Sequence, residues 1–507
     1  MATNLLGIDI GTSSCKALLV SERGEVLAEA SAAYPVDMPR SGWSEQNPDD
    51  WWRGVRESVS RLIEKARIDG GQVGAIGLSG QMHGLVLLDA AGRSLRPCIL
   101  WNDQRSAPQC AEITQRIGLE QLLATTGNPV LPGFTAPKLE WVRRHEPDMF
   151  ARIAHVLLPK DYVRYRMSGV CVGDVSDCSG TSWFDVGSRC WSQIVLDELR
   201  VPMAWMPEVV ESQAVCARLS ADAAADLGLR AGTPIVGGAG DQAAQAVGSG
   251  IVEEGLLSAT LGTSGVVFAS TRRFAPEPHG RLHAFCHARP DLWHWMGVML
   301  SAGGSLEWLG SLFAAGVEQE SAIAAGLADA ARVPAGAEGL LFLPYLTGER
   351  TPHPDPDARG VFFGLSPRHT RGHLFRAVLE GVAFGLRDSL ELLRSCGATA
   401  NAVRVSGGGA RSALWRQILA DVFQLPLVTV NAQHGAAYGA ALLAGVGVGA
   451  FVDVHDACRR SVREAERLEP SDAVGIYDRS YTQYRALYPA LAPRFAAAAR
   501  DAESRTG

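Results

Sequence analysis

A Gly-Thr-Ser turn between two apolar strands occurs twice in this chain, about half its length apart. The first copy runs Gly7-Ile8-Asp9-Ile10-Gly11-Thr12-Ser13-Ser14-Cys15-Lys16-Ala17-Leu18-Leu19-Val20. The second runs Leu257-Ser258-Ala259-Thr260-Leu261-Gly262-Thr263-Ser264-Gly265-Val266-Val267-Phe268. Each reads strand, tight polar turn, strand: apolar β-formers flank small residues that tolerate unusual backbone angles. In a chain of 507 residues, that repeat predicts two similar domains facing one another. Each would present a turn whose N–H and hydroxyl donors can cradle phosphate. One such turn alone is an ordinary hairpin. The repetition, and Asp9 on the first strand, give the pair functional weight.

Composition narrows the class. A hydrophobic share of 47% allows a large core, and the length fits two to four domains. The net charge of −7 is small and no Lys/Arg run stands out, which argues against nucleic acid or an anionic membrane as partner. The N-terminus enters a strand by Leu5 with no basic-then-apolar leader, and no apolar run suits a bilayer. The ten cysteines are scattered without a CxxC pair. They read as free thiols in a reducing, cytoplasmic setting.

Taken in order, residues 5–34 predict a three-stranded meander. Asp9 sits between Ile8 and Ile10, and a carboxylate there is costly unless a cation or donors compensate it. A magnesium site through water, beside the phosphates, is the functional reading; a satisfied structural Asp is the ordinary one. Lys16 reads as a phosphate contact or a surface lysine. Asn47, Pro48, Asp49 and Asp50 open a helix whose apolar face includes Trp51, Val55, Val59 and Leu62. The strand 73–78 leads into Ser79-Gly80-Gln81-Met82-His83-Gly84, a substrate loop where open α/β sheets bind ligands. Trp101 beside Asn102 and Asp103 suits a sugar, with core packing the default for the Trp. Residues 110–230 read as helices and loops, with Asp174, Asp177 and Asp185 as turn formers.

The second focal stretch is Pro234-Ile235-Val236-Gly237-Gly238-Ala239-Gly240-Asp241-Gln242. A strand enters a glycine-rich turn, and Asp241 stands where a helix begins. A helix cap is one role; a general base aimed from a stiff turn at a hydroxyl is the other. His283, Cys286 and His287 lack a fourth ligand, which disfavours zinc. Ser301 to Ser305 opens a helix, and residues 375–393 form a long one. Val403 to Ser412 reads strand, triple glycine, helix, a turn that lets a nucleotide approach closely. It is neither GxGxxG nor a P-loop, so a Rossmann dinucleotide site is disfavoured. The tail after Ser471 reads as a peripheral helix.

Two stretches carry a resemblance to a known family. They are Gly133-Phe134-Thr135-Ala136-Pro137-Lys138-Leu139-Glu140-Trp141-Val142-Arg143-Arg144-His145, and Gly360-Val361-Phe362-Phe363-Gly364-Leu365 continuing to Glu380. From about residue 5 to about 490 the chain resembles the FGGY family of carbohydrate kinases, in the superfamily of actin, hexokinase and the heat-shock ATPases. Residues 81–84, 99–103 and 342–352 most resemble the bacterial branch acting on D-xylulose.

The resemblance implies an α/β fold of two ribonuclease H-like (actin-like ATPase) domains, with mixed sheets flanked by helices and a deep cleft between. The expected division is 1–246, 247–490 and a tail at 491–507, with closure about a hinge near residue 245. It implies ATP-dependent phosphorylation of D-xylulose at the 5-hydroxyl, in D-xylose breakdown, with Mg2+ as cofactor. Asp241 matches the catalytic base. Met82, His83, Trp101, Asp103 and Gln242 match sugar positions, and Asp9 the metal-linked carboxylate. Thr12, Ser13 and Lys16 match the first phosphate turn, Gly262 and Thr263 the second, and Gly303, Gly408, Gly409 and Ser412 the nucleotide pocket. Partners are then a small sugar and a nucleotide, and related enzymes are often homodimers. Gln242 departs from the Asn common in this branch, and Gln also occurs there in relatives that use glycerol. Ribulose, a pentitol or glycerol remain alternative acceptors. A conformational ATPase of the actin or chaperone kind is the rival from another class.

Overall fold

The structure is a computed structural model that describes residues 4–431 and 434–506, with side chains described up to 501. Two seven-stranded mixed sheets dominate it. The first is built from β1 (Asn4–Ile10), β2 (Ser14–Val20), β3 (Val26–Ala33), β4 (Val73–Gly80), β5 (Val215–Arg218), β6 (Pro234–Val236) and β7 (Ala239–Gly240). Its order is β5-β6-β4-β1-β2-β3, with β7 also pairing β4. The second comprises β8 (Gly255–Leu261), β9 (Gly265–Thr271), β10 (His283–Cys286), β11 (Trp293–Met299), β12 (Ala400–Ser406), β13 (Leu427–Val430) and β14 (Glu464–Leu468), in the order β10-β11-β9-β8-β12-β13-β14.

The two orders superimpose over six strands, with β7 in the first sheet and β10 in the second left over. An antiparallel meander (β1–β2–β3, and β8–β9–β11) is extended by parallel neighbours β4 and β12, then β6 and β13. An antiparallel strand finishes each edge. That last strand precedes its neighbour in the first sheet and follows it in the second. The repeat of the turn is thus a repeat of the domain, and the meander at 5–34 is present. Both turns sit at the carboxyl ends of central strands, where open sheets bind ligands.

The helices are α1 (Pro48–Ala66), α2 (Thr135–His145), α3 (Pro159–Ser168), α4 (Asp241–Gly248), α5 (Gly303–Leu312), α6 (Arg371–Ser395), α7 (Ala413–Phe423), α8 (Gly435–Gly447) and α9 (Val474–Thr506), with shorter ones between. Asn47 caps α1 through its side chain, as its sequence predicts. Each domain has its own core, and a third core joins them: Leu5, Leu18 and Ala75 of the first sheet pack with Ala437, Ala441 and Leu442 of α8. α8 lies on β1 and β4 so closely that a methyl group on Gly7 would stand 1.9 Å from Ala437 O, and one on Gly77 1.9 Å from Ala440 O. α8 also packs on α4, where a methyl on Gly439 would meet Ala244 O at 1.8 Å. These are approaches only glycine permits.

Three expectations shift here. The division at 246/247 falls within α4, and residue 245 lies inside that helix rather than in a linker. Gln245 donates to Thr260 and Ser406 of the second sheet, so the expected hinge point is anchored in both domains. The tail is not peripheral and does not start at 491: α9 runs continuously from Val474 and buries Tyr477, Tyr481 and Tyr484. Tyr481 donates to Asp388, and Arg376 to Tyr477, so aromatic rings with polar tips weld α9 to α6. No described helix is long and apolar enough to cross a membrane, and the ten cysteines are all free.

Candidate active site

The site grows from three adjacent strand ends in the first sheet. β1 pairs β4 in parallel to Ile10↔Gly80, and β7 pairs β4 to Gly240↔Gly80. Gly11-Thr12-Ser13, Gln81-Met82-His83 and Asp241 therefore leave the sheet side by side. Glycine allows this closeness. A methyl on Gly240 would stand 2.9 Å from Met82 Cγ, and one on Gly180 2.5 Å from His83 Nδ1.

Asp241 is the first residue of α4, and its Oδ1 accepts from Gln242 N at 2.7 Å. Burial, then the charge of Asp9, pushes its carboxyl up to about 7. The two carboxylates thus sense one another across one site. Asp9 itself is raised by burial, against the opposing effect of Ser79 and Lys16. Its Oδ1 is shielded and has no hydrogen-bond partner. A shielded anionic oxygen without a donor is what a hydrated divalent cation would satisfy, so Asp9 fits a magnesium site.

His83 is the most constrained residue of the loop. Its φ is 71°, a left-handed angle unusual for a side chain with a Cβ. Its carbonyl accepts from Thr135 Oγ1 at 3.1 Å and from Lys138 Nζ at 2.9 Å. Its ring stacks on Phe134 at 4.4 Å, and Nδ1 bonds Gly180 O at 2.7 Å. Because a carbonyl only accepts, Nδ1 carries the proton. Burial pulls the His83 pKa down to about 3. The ring is neutral, and Nε2 is left as an acceptor for a hydroxyl. Phe134, Thr135 and Lys138 belong to the stretch that carries the family resemblance, but their role as a clamp on His83 has no local sequence signal: the partners are over 50 positions apart.

The first turn is braced by side chains. Thr12 donates to Gln81 Oε1 at 3.2 Å and accepts from Trp101 Nε1 at 3.0 Å. Gln46 Nε2 donates to Thr12 O at 2.6 Å, and its Oε1 accepts from Gln81 and Trp51. Ser13 is exposed and free to face a ligand. Trp101 is 38% exposed, as a cleft wall would be. Gln46 is a lone glutamine that the sequence alone does not mark.

The second turn is braced by backbone. Gly303 N donates to Gly262 O at 2.8 Å, and Ala302 N and Gly304 N donate to Thr263 O at 2.8 and 3.0 Å. A cavity of about 430 Å³ lies beyond it, lined by Thr260, Ser406, Gly407, Gly408, Arg411 and Glu466 among others, with Gln245 and Ser249 from the α4 side.

One assignment needs correction, and several other residues make protein contacts of their own. Asp103 has no surface to offer a sugar. It is fully buried, accepts from Ser44 N at 2.6 Å and forms a bidentate pair with Arg105. Lys16 pairs with Glu29 at 3.2 Å, and Glu29 also bonds His434 at 2.9 Å, so Lys16 is drawn toward the start of α8. Of the four nucleotide-pocket residues, Gly408 lines the cavity. Gly303 instead props the second turn, Gly409 packs under Trp415, and Ser412 caps α7 through Trp415 N. Asp174 does cap a short helix, but it is also ion-paired. His283 bonds Asn128 and His287 bonds Ile251 O; each is spent on the protein.

Two duplicated domains, a polar turn on each and a buried carboxylate at the junction make up the two-domain α/β frame of a sugar-kinase fold. The family comparison makes this specific. Residues 4–248 match the N-terminal domain of the FGGY family of carbohydrate kinases, and residues 257–448 its C-terminal domain. The chain belongs to that family, whose substrates are a small-molecule sugar and ATP. It is 42% identical to the xylulose kinase of Escherichia coli over 97% of this chain and 100% of that protein. It is 39% identical to the xylulose kinase of Bacillus subtilis, covering 96% of each. The solved structure of xylulose kinase from Rhodospirillum rubrum is 36% identical with a TM-score of 0.90, over 97% of this chain and 99% of that one.

Proposed function

We propose that this kinase transfers the γ-phosphoryl group of ATP to the 5-hydroxyl of D-xylulose, giving D-xylulose 5-phosphate and ADP. Near-full-length similarity to xylulose kinases supports the acceptor. The observation that carries the mechanism is the Asp241 carboxyl, raised to about 7 on a stiff turn packed against Met82. Near neutral pH such a group is half ionised and basic enough to take a hydroxyl proton. The C5 oxygen then attacks the γ-phosphorus, the bond to the β-phosphate oxygen breaks, and ADP leaves with its charge.

His83 Nε2 accepts from a sugar hydroxyl, Met82 floors the pocket and Trp101 walls it. Gln242, one residue past the base, is positioned to contact the sugar. Thr12, Ser13, Gly262 and Thr263 offer donors to the phosphates from opposite sides, and Gly408 with its neighbours receives the nucleoside. Phosphoryl transfer depends mainly on such positioning. Mg2+ held through water by Asp9 would neutralise phosphate charge. The free cysteines support a cytoplasmic setting.

A coupled ADP-release assay over D-xylulose, D-ribulose, L-ribulose, xylitol and glycerol tests the acceptor. The expected result is a strong kcat/KM preference for D-xylulose. Preference for another polyol would keep the chemistry and move specificity to Gln242, His83 and Trp101. ATP hydrolysis unaffected by every sugar would overturn the kinase reading.

A further inference from the structure

The turn bearing the base is held from behind by a buried ionic cluster that the reaction itself does not use. Lys160 is the second residue of α3, and its ammonium meets Asp161 at 2.5 Å, Asp174 at 2.6 Å and Asp177 at 3.2 Å, all buried. The three carboxylates lie close enough together to hold a metal ion, and Lys160 fills that centre. Arg164, one turn on, pairs with Asp161 at 3.2 Å. Burial drives the Asp177 carboxyl well above the ordinary range, against the opposing pull of Lys160. Buried groups of this kind contribute little net stability over apolar packing, and fixing one arrangement is their best-attested use.

The arrangement fixed here is the approach to Asp241. Arg164 donates to Gly237 O, at the start of the turn. Asp174 Oδ1 accepts from Ser176 Oγ at 2.6 Å and from Ser212 Oγ at 3.3 Å. Ser176 Oγ in turn accepts from Gly240 N at 3.1 Å, one residue before the base. The single hydroxyl proton of Ser176 is committed to Asp174, so its lone pair is what Gly240 meets. We propose that Ser176, locked by the Lys160–Asp174 pair, is a positioning residue: it fixes the backbone at Gly240 and so aims the Asp241 carboxylate at the attacking hydroxyl. The proposal rests on Asp241 being the base.

Ser176→Ala and Ser212→Ala form the test. Each removes one buried hydroxyl from the same carboxylate. The hydrogen bond that Ser212 makes to the turn comes from its backbone carbonyl, which accepts from Gly238 N and which alanine keeps. Ser176→Ala is expected to lower kcat by on the order of 10- to 100-fold, the scale of a displaced reacting group, with KM for MgATP within about twofold of the parent. Ser212→Ala is expected to keep the parental kcat, whatever both lose in thermal stability. Equal kcat in the two variants would overturn the proposal. If Ser176→Ala does not fold, Ser176→Cys retains the volume with a weaker acceptor, and a parental kcat in it would overturn the proposal equally. Asp241→Ala measured alongside separates the two claims: retained turnover there sinks the base assignment, whereas its loss beside an unaffected Ser176→Ala sinks only the positioning role.

Discussion

The two phosphate turns share a strand frame and differ in what holds them. The first is held by side chains: Thr12 is fixed by Gln81 and Trp101, and its carbonyl by Gln46. The second is held by backbone, with the start of α5 donating three N–H groups to Gly262 and Thr263. The side-chain brace links the first turn to the sugar loop, because Gln81 precedes Met82 and His83. The backbone brace links the second turn only to its own domain. Duplication supplied two similar turns, and the difference in bracing ties one to the Gln81–His83 loop and the other to the start of α5.

The largest expected effect is at the junction of the two. Asp241→Asn should lower kcat by roughly 10²–10⁴-fold, the range for a lost general base, and leave nucleotide affinity nearly unchanged by equilibrium titration. Next comes a direct contrast of the braces. Gly303→Ala places a methyl 2.5 Å from Gly262 O. It should raise KM for MgATP about tenfold or more while the KM for sugar moves little. Gln81→Ala removes the side-chain brace and should depress kcat and sugar kcat/KM together. If both variants raised only the KM for MgATP, the division of labour would be wrong. A smaller change is expected for Trp101→Phe. It loses one neutral hydrogen bond to Thr12, about 0.5–1.5 kcal/mol, or roughly a 2- to 10-fold drop in kcat/KM for sugar.

The raised Asp241 carboxyl also makes two pH predictions. As the base must be ionised, kcat/KM for sugar should fall about tenfold per pH unit below about 7. A limb at the ordinary carboxylate value would contradict the buried geometry. For stability, the native state keeps a proton that the unfolded chain gives up between the ordinary carboxylate value of 3.8 and about 7. Stability therefore falls as pH rises through that window. Asp241→Asn removes this cost and should melt above the parent at pH 8, with the gap closing toward pH 4.

The sequence made the fold legible because the repeat is local: each hairpin is contiguous, and period and turn chemistry identify it. The placement of Asp241, Met82 and His83 side by side was legible for a related reason, since each follows a strand end. What stayed hidden was long-range. Gln46 reaches Thr12 and Gln81 from 34 and 35 positions away, and Ser176 reaches Gly240 from 64. Asp103 misled because a carboxylate beside an indole suits a sugar equally well on paper. Arg105, two residues on, claims it first. The Lys16–Glu29 pair was hidden too, because Glu29 lies on the neighbouring strand across the sheet.

The most direct test of the central claim is the initial rate of ADP release with MgATP and saturating D-xylulose, for the parent and Asp241→Asn, each with its ATP dissociation constant. The account predicts a rate lost by at least 10²-fold with ATP affinity retained. A variant that still turns over D-xylulose near the parental rate would contradict it.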